Sequence, residues 1–210
     1  MKLFASAASP FVRKVLVVAH ELGLADRVQV EHVALSPIAP NAELNRRNPL
    51  GKIPALELDD GAVLYDSRVI CEYLDALAVG RKVIPATGAE RFAALRTQAL
   101  ADGVLDAGIL LRYETILRPE EQRSAAWMDG QAEKVLAGLR ELERSIDTSA
   151  REPNIGDIAA AVALGWLAFR APLATRPAGG VDVKEAFASL FAWYDELSKR
   201  PSFAGTHPSA

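Results

Sequence analysis

The chain has 210 residues, half of them apolar, which is enough to bury a sizeable core in one or two domains. Its net charge is −3 and neither half is basic, so it shows no electrostatic footprint for nucleic acid. A single cysteine excludes an internal disulfide framework and a four-cysteine metal site, and is compatible with a reducing compartment.

Residues 2–5 are a short apolar run entering a loop of small residues and read as a strand. Residues 1–8 are too short for a signal peptide. Ser9-Pro10 then opens a helix, Ser being a favoured cap and Pro a favoured first residue. Its apolar residues Val12, Val15, Leu16, Ala19 and Leu22 have helical spacing, and Gly23 stops it. Residues 27–35 alternate as a second strand, with Val28, Val30 and His32 on one side. The Pro- and Asn-rich stretch 36–48 reads as a loop with a short helix. Residues 53–58 and 62–65 form a hairpin around Asp59-Asp60-Gly61. Asp66-Ser67 caps a helix whose apolar residues are Val69, Ile70, Tyr73, Leu74 and Leu77. The order β-α-β-(α)-β-β-α describes a small α/β domain over residues 1–78.

Residues 79–88 read as a linker, and strand signals then disappear. Residues 89–117 form one long helix, with Gly103 and Gly108 as points of bending or close packing. Pro119 is expected to start the next helix, striped by Val135, Leu139, Leu142 and Ile146. Asn154 and Asp157 match a capping box before Ile158, Val162, Trp166 and Phe169. The uncharged run 158–169 is of core-helix length, so no membrane anchor is expected. A last amphipathic helix carries Phe187, Leu190, Phe191, Tyr194 and Leu197, and Arg200-Pro201 stops it. An all-helical domain over residues 89–205 follows. Trp127, Trp166 and Trp193 lie on apolar stripes and read as core.

Three segments have the residue types for chemistry. Ser9 is a helix cap or, through free N–H groups and the helix dipole, a site for an anion or thiolate. Lys52-Ile53-Pro54 is an edge strand or a cis-proline turn presenting the Ile53 backbone. Asp66-Ser67 is a cap or a second anion-binding helix start. No Gly-x-Ser-x-Gly elbow accompanies Ser9, and His20, His32 and His207 lie far from it in sequence, which disfavours a serine hydrolase. Cys71 reads as a buried structural thiol.

The segments Asn48-Pro-Leu-Gly-Lys-Ile-Pro-Ala-Leu56, Tyr65-Asp-Ser-Arg-Val-Ile-Cys-Glu-Tyr-Leu74, Pro153 to Ala161 and Trp193 to Phe203 occur in one order. Together they resemble the glutathione S-transferase superfamily, in particular its small bacterial members, over essentially the whole chain. The resemblance implies a thioredoxin-like first domain and a helical-bundle second domain. It implies that Ile53, before a cis Pro54, pairs its backbone with the cysteinyl part of glutathione. Asp66 and Ser67 would hold the γ-glutamyl group and Lys52 the glycyl carboxylate. Asp66 departs from the commoner Glu.

Ser9 would donate to the glutathione thiolate, with Ser6 as a competitor in the same loop. A cysteine is missing at position 9, which argues against thiol-disulfide chemistry. Arg112 and Tyr113 are candidates to face a second substrate. The implied protein is a cytoplasmic, homodimeric transferase of a detoxifying kind that uses glutathione as co-substrate, needs no metal, and attacks a small electrophile. The open alternative is a glutathione-binding or scaffold protein of the same fold with negligible turnover.

Overall fold

The computed structural model describes residues 1–149 and 152–209. Its contacts divide into two units, Met1–Ala86 with Arg200–Ala210, and Thr87–Lys199. The division follows the change from mixed α/β to all-helical patterning, and the tail from Arg200 groups with the first unit.

In the first unit, β1 (Lys2–Ala5) pairs parallel with β2 (Gln29–His32) and antiparallel with β3 (Ala55–Glu57). β4 (Val63–Leu64) pairs antiparallel with β3, giving the order β2-β1-β3-β4. The parallel pair needs a crossover, and α1 (Pro10–Glu21) supplies it. α1 packs against α3 (Ser67–Leu77), and Val12, Val15, Val18, Ile70 and Leu74 are buried. Cys71 is buried with them. The loop helix α2 (Ala42–Arg47) is capped by Asn41, whose side chain accepts from Glu43 N and Leu44 N. Arg47 lies over the Phe4 ring and pairs with Glu57 at 3.1 Å.

The stretch after α3 is tied down. Asp75 Oδ1 accepts from Val83 N at 2.6 Å and Ile84 N at 3.1 Å. Lys82 donates to the carbonyls of Asp75 and Ala78 at the end of α3, as a cation at a helix C-terminus should.

At the end of α1, the Glu21 carboxylate is 4% exposed and saturated with donors. Arg200 donates from Nε at 2.9 Å and from Nη2 at 2.8 Å, and Arg81 and Ser202 donate as well. Burial by itself would raise the Glu21 pKa. The hydrogen bonds from Arg200, Ser202 and Arg81 overcome it and hold the pKa at about 2. Arg200 and Ser202 flank the start of α9 (Pro201–Ala204), so this carboxylate fixes the returning tail to α1.

The second unit is built on α4 (Gly88–Leu117), flanked by α5 (Ala125–Ser145) and α6 (Ile155–Arg170). Gly156 packs against the backbone of Ala94 and the side chain of Thr97, and Gly108 packs against Trp166 and Leu167. Those two contacts make α4 and α6 run in the same direction. Gly108 is thus a close-packing point, whereas Gly103 faces open space. α6 is buried continuously from Ile155 to Leu167. Its capping box is formed: Asn154 Oδ1 accepts from Gly156 N and Asp157 N, and Asp157 accepts from Asn154 N at 3.0 Å.

Three expectations need correction. Pro119 does not start α5. A 3-10 turn (Glu120–Gln122) intervenes, and Ser124, which can accept from Trp127 N as proline's ring cannot, is the cap. Trp127 is 38% exposed, because the packed face of α5 begins at Met128 and continues through Gln131, Ala132 and Val135. The last helix is two helices, α7 (Val183–Ala186) and α8 (Ala188–Ser198), interrupted where Phe187 leaves the helical region with φ −129° and ψ 48°.

Candidate functional site

The sheet register gathers the three sequence segments at one end of the first unit. Phe4 is paired with Ala55, so the end of β1 lies beside the start of β3. Leu56 is paired with Leu64, so the end of β4 lies there too. The loop carrying Ser6 and Ser9, the Ile53-Pro54 turn, and the Asp66-Ser67 helix start therefore all leave the sheet from the same edge. Neighbouring strands are about 5 Å apart, so three adjacent segments span about 10 Å, the reach of an extended tripeptide.

Ser9 is the cap of α1. Its Oγ accepts from Val12 N at 3.3 Å and its carbonyl accepts from Arg13 N at 3.0 Å. Pro10 has no N–H, so the Phe11 N–H is the one left without an acceptor in this first turn, among the described residues. A hydroxyl carries one donor and two acceptor sites. Capping uses an acceptor site, and the O–H of Ser9 remains available to donate. Ser9 is half-buried, as is Ser6, whose carbonyl accepts from Ser9 N at 3.0 Å. Ser9, not Ser6, stands at the helix terminus.

The Ile53–Pro54 peptide is cis, as the resemblance implies, and so is Tyr65–Asp66. No hydrogen bond among the described residues engages the Ile53 backbone. The loop before it is organised by Asn48, which is 2% exposed. Asn48 Nδ2 donates to the Lys52 carbonyl at 2.8 Å, and its Oδ1 accepts from Leu50 N at 3.1 Å. Gly51, at φ +60°, makes the turn, and a Cβ there would lie 2.7 Å from Asn45 Oδ1. In the sequence Asn48 opens the segment Asn48 to Leu56. Its signal was an Asn before Pro in a turn. The Lys52 side chain is exposed.

Asp66 caps α3 and is exposed, with Oδ1 accepting from Arg68 N at 2.9 Å. Ile70 N donates to the Asp66 carbonyl. The N–H groups of Ser67 and Val69 and the Ser67 hydroxyl have no acceptor among the described residues, although Ser67 is only 2% exposed. Nearly buried donors at a helix N-terminus are suited to a carboxylate.

Arg112 and Tyr113 are half-buried on α4 in the second unit, distant in sequence from the three segments. A cleft of about 450 Å³ in that unit lies between the end of α6, Leu173, Ala174 and the start of α7. It is lined mainly by apolar groups with Asp182 and Lys184, and contains none of the residues singled out by sequence. Among the described residues no three His, Cys, Asp or Glu side chains come together as a metal site would require. No helix among them is long and apolar enough to cross a membrane.

Residues 8–77 match the family model for the glutathione S-transferase N-terminal domain, and residues 125–196 match that for the C-terminal domain. The uncharacterized GST-like protein YibF of Escherichia coli K12 is 34% identical over 99% of this chain and 98% of its own. A glutathione transferase family member from Pseudomonas fluorescens Pf-5, solved with bound glutathione, is 45% identical, covers 100% of this chain and 99% of its own, and superposes with a TM-score of 0.91. A structure of a P. fluorescens Pf-5 family member with bound S-(propanoic acid)-glutathione is 44% identical, covers 99% of each chain, and has a TM-score of 0.87.

Proposed function

Because the chain belongs to the glutathione S-transferase superfamily, we propose that it binds glutathione in its first unit and activates the thiol for attack on a small electrophile. The observation that carries this reading is the convergence of three segments with unused donors at one end of the sheet. Ile53 offers its backbone to the cysteinyl part. Ser67, with the free N–H groups at the start of α3, takes the γ-glutamyl carboxylate, and Asp66 takes the amine. Lys52 pairs with the glycyl carboxylate. Ser9 donates its O–H to the sulfur. S-(propanoic acid)-glutathione, bound by a similar protein, is a thioether of the kind such a reaction forms. Arg112 and Tyr113 meet the electrophile, and residues 1–78 and 89–205 act as the two functional domains. We place the reaction in the cytoplasm, in a detoxifying role.

The energetics permit this without a general base. A free thiol has a pKa of about 8.5, and lowering it by about two units requires about 2.7 kcal/mol in favour of the thiolate. A hydroxyl hydrogen bond to a charged group contributes about 1.5–3 kcal/mol. The N-terminus of α1 adds about 0.3–1 kcal/mol. Ser9 is then a hydrogen-bond donor, not a nucleophile.

Titration calorimetry with millimolar glutathione tests binding. One site per chain is expected, and no heat together with no shift in melting temperature would overturn the reading. Ser9→Ala tests activation. It should raise the pKa of the bound thiol, followed by ultraviolet absorbance of the thiolate, and lower turnover about tenfold or more. Ser6→Ala should be nearly silent. The Val12 N–H bond to Ser9 Oγ favours a second reading, in which Ser9 only caps α1 and the protein holds glutathione with negligible turnover. Ser9→Gly separates the two, since glycine is a tolerable cap without a hydroxyl. A wild-type thiol pKa and full turnover in that variant would leave Ser9 as a cap alone.

A homodimer is part of the same proposal. Exposed Leu50 and Val69 in the first unit and Phe92 in the second supply apolar surface for it. Light scattering at micromolar concentration should give twice 22.6 kDa, and a mass near 22.6 kDa would refute a stable pair.

A further inference from the structure

Arg112 and Arg170 come together in the second unit although they are distant in sequence. α4 and α6 run in the same direction, with Gly108 against Trp166 and Leu167. Arg112 is one helical turn beyond Gly108, and Arg170 is one turn beyond Trp166. The packed ridge therefore carries both guanidinium groups to the same level. The two charges are close enough to act on each other: burial first, and then the Arg112 charge, lowers the Arg170 pKa.

Both residues are half-buried, and neither has a hydrogen bond or ion pair among the described residues. The Arg170 guanidinium lies over the Phe169 ring, at 4.2 Å. Four other arginines of this unit differ. Arg96, Arg118, Arg144 and Arg176 each meet an acid, Arg176 meeting both Asp129 and Glu133. Arg170 has a partial role as a cation in the last turn of α6, where the helix dipole favours it. That does not account for a second cation beside it on α4. Two neighbouring guanidinium groups partly sheltered from water repel each other, and a bound anion removes the repulsion. Their planar forks match a carboxylate in bidentate geometry.

We propose that Arg112 and Arg170 form a recognition site for the carboxylate of an acidic co-substrate, with the Phe169 ring beside it. As a statement about substrate class, this rests on the transferase reading above; as a statement about binding, it stands on the arginine pair alone. Arg170 is added to the residues that sequence singled out, and the electrophile becomes one that carries a negative charge away from its reacting carbon.

The test uses 4-chloro-3-nitrobenzoate and its methyl ester as matched electrophiles. In both, the glutathione thiolate forms a C–S bond to the ring and chloride leaves with the C–Cl electron pair. The wild type should prefer the acid. Arg170→Gln and Arg112→Gln should each lower the acid-to-ester ratio of kcat/KM by about tenfold, the loss of one charged hydrogen bond. Arg170→Lys should recover part of it, as a charge without the fork. Calorimetric titration of the wild-type protein with unreactive 3-nitrobenzoate should show binding that weakens as ionic strength rises and is lost in Arg170→Gln. An unchanged acid-to-ester ratio in both glutamine variants, or equal binding of 3-nitrobenzoate by wild type and Arg170→Gln, overturns the proposal. Melting curves establish that each variant is folded. If glutathione fails to bind the wild type, the transferase reading falls, and the 3-nitrobenzoate titration still decides the arginine pair.

Discussion

Two nearly buried carboxylates, one in each unit, have opposite fates. Glu21 and Asp157 are both sheltered, and burial pushes both pKa values upward. Glu21 faces two guanidinium groups and a hydroxyl, and its pKa falls to about 2. Asp157 accepts from a backbone N–H of Asn154 and feels the like charge of Asp147, and its pKa stays raised. The partners, not the depth of burial, decide the sign. Glu21 is a tertiary clamp holding the chain's tail. Asp157 is a local clasp on one turn of helix.

The largest effect is expected at the clamp. Removing one partner of a buried ion pair leaves the other uncompensated, so Glu21→Gln should cost about 3–5 kcal/mol at neutral pH, measured by chemical denaturation. A loss below 1 kcal/mol would show the clamp to be ornamental. The pH dependence follows from the lowered pKa. The unfolded state binds a proton near the ordinary value of 4.5 and the folded state only near 2, so the unfolded state holds more protons between them. The stabilisation is complete above 4.5 and is lost as pH falls toward 2, and the shift corresponds to about 3 kcal/mol. The gap between wild type and Glu21→Gln should therefore close over that window.

Smaller effects are expected around the clasp. Gly156→Ala would bring a Cβ within 2.7 Å of the Ala94 carbonyl oxygen and 2.8 Å of Thr97 Cβ. The helices must separate, at a cost of about 1–3 kcal/mol in the same assay. Asn154→Ala removes the acceptor for Gly156 N and Asp157 N and should cost about 1 kcal/mol. Asp157→Asn should cost least, within about 0.5 kcal/mol at neutral pH, since an amide oxygen can still accept from Asn154 N while the buried charge disappears. Its pH dependence has the opposite sign to that of Glu21. The folded state of the wild type binds the Asp157 proton more tightly, so wild type gains on Asp157→Asn as pH falls through the raised pKa. A wild type that loses ground to Asp157→Asn on acidification would contradict the difference between the two carboxylates.

The clasp was legible in the sequence and the clamp was not. Asn154 and Asp157 are three residues apart, and a capping box is closed within one helical turn, so its spacing is its signature. The same holds for Ser9-Pro10 and Asp66-Ser67, where a side chain accepts from an N–H two or three residues on. Hydrophobic periodicity located α1, α3 and α6 for the same reason. Expectations failed where local signals compete. Pro119 and Ser124 can each begin a helix, and Phe187 fits an amphipathic stripe that its own backbone interrupts.

The sequence by itself determined the change from mixed α/β to helical patterning, the caps at Ser9, Asp66 and Asn154, and the three segments from which the candidate site is drawn. Only the tertiary structure decided what those segments and the charges meet. The register of β1, β3 and β4 brings Ser9, Ile53 and Ser67 to one sheet edge. Glu21 finds Arg81 and Arg200 across separations of 60 and 179 residues. Arg170 comes within electrostatic reach of Arg112 on α4, whose Gly108 packs against Trp166 and Leu167 of α6. A hydrogen bond between neighbours in sequence is fixed by backbone geometry and so leaves a spacing to read. A charge carries no mark of its distant partner, and packing alone selects which opposite or like charge it will face.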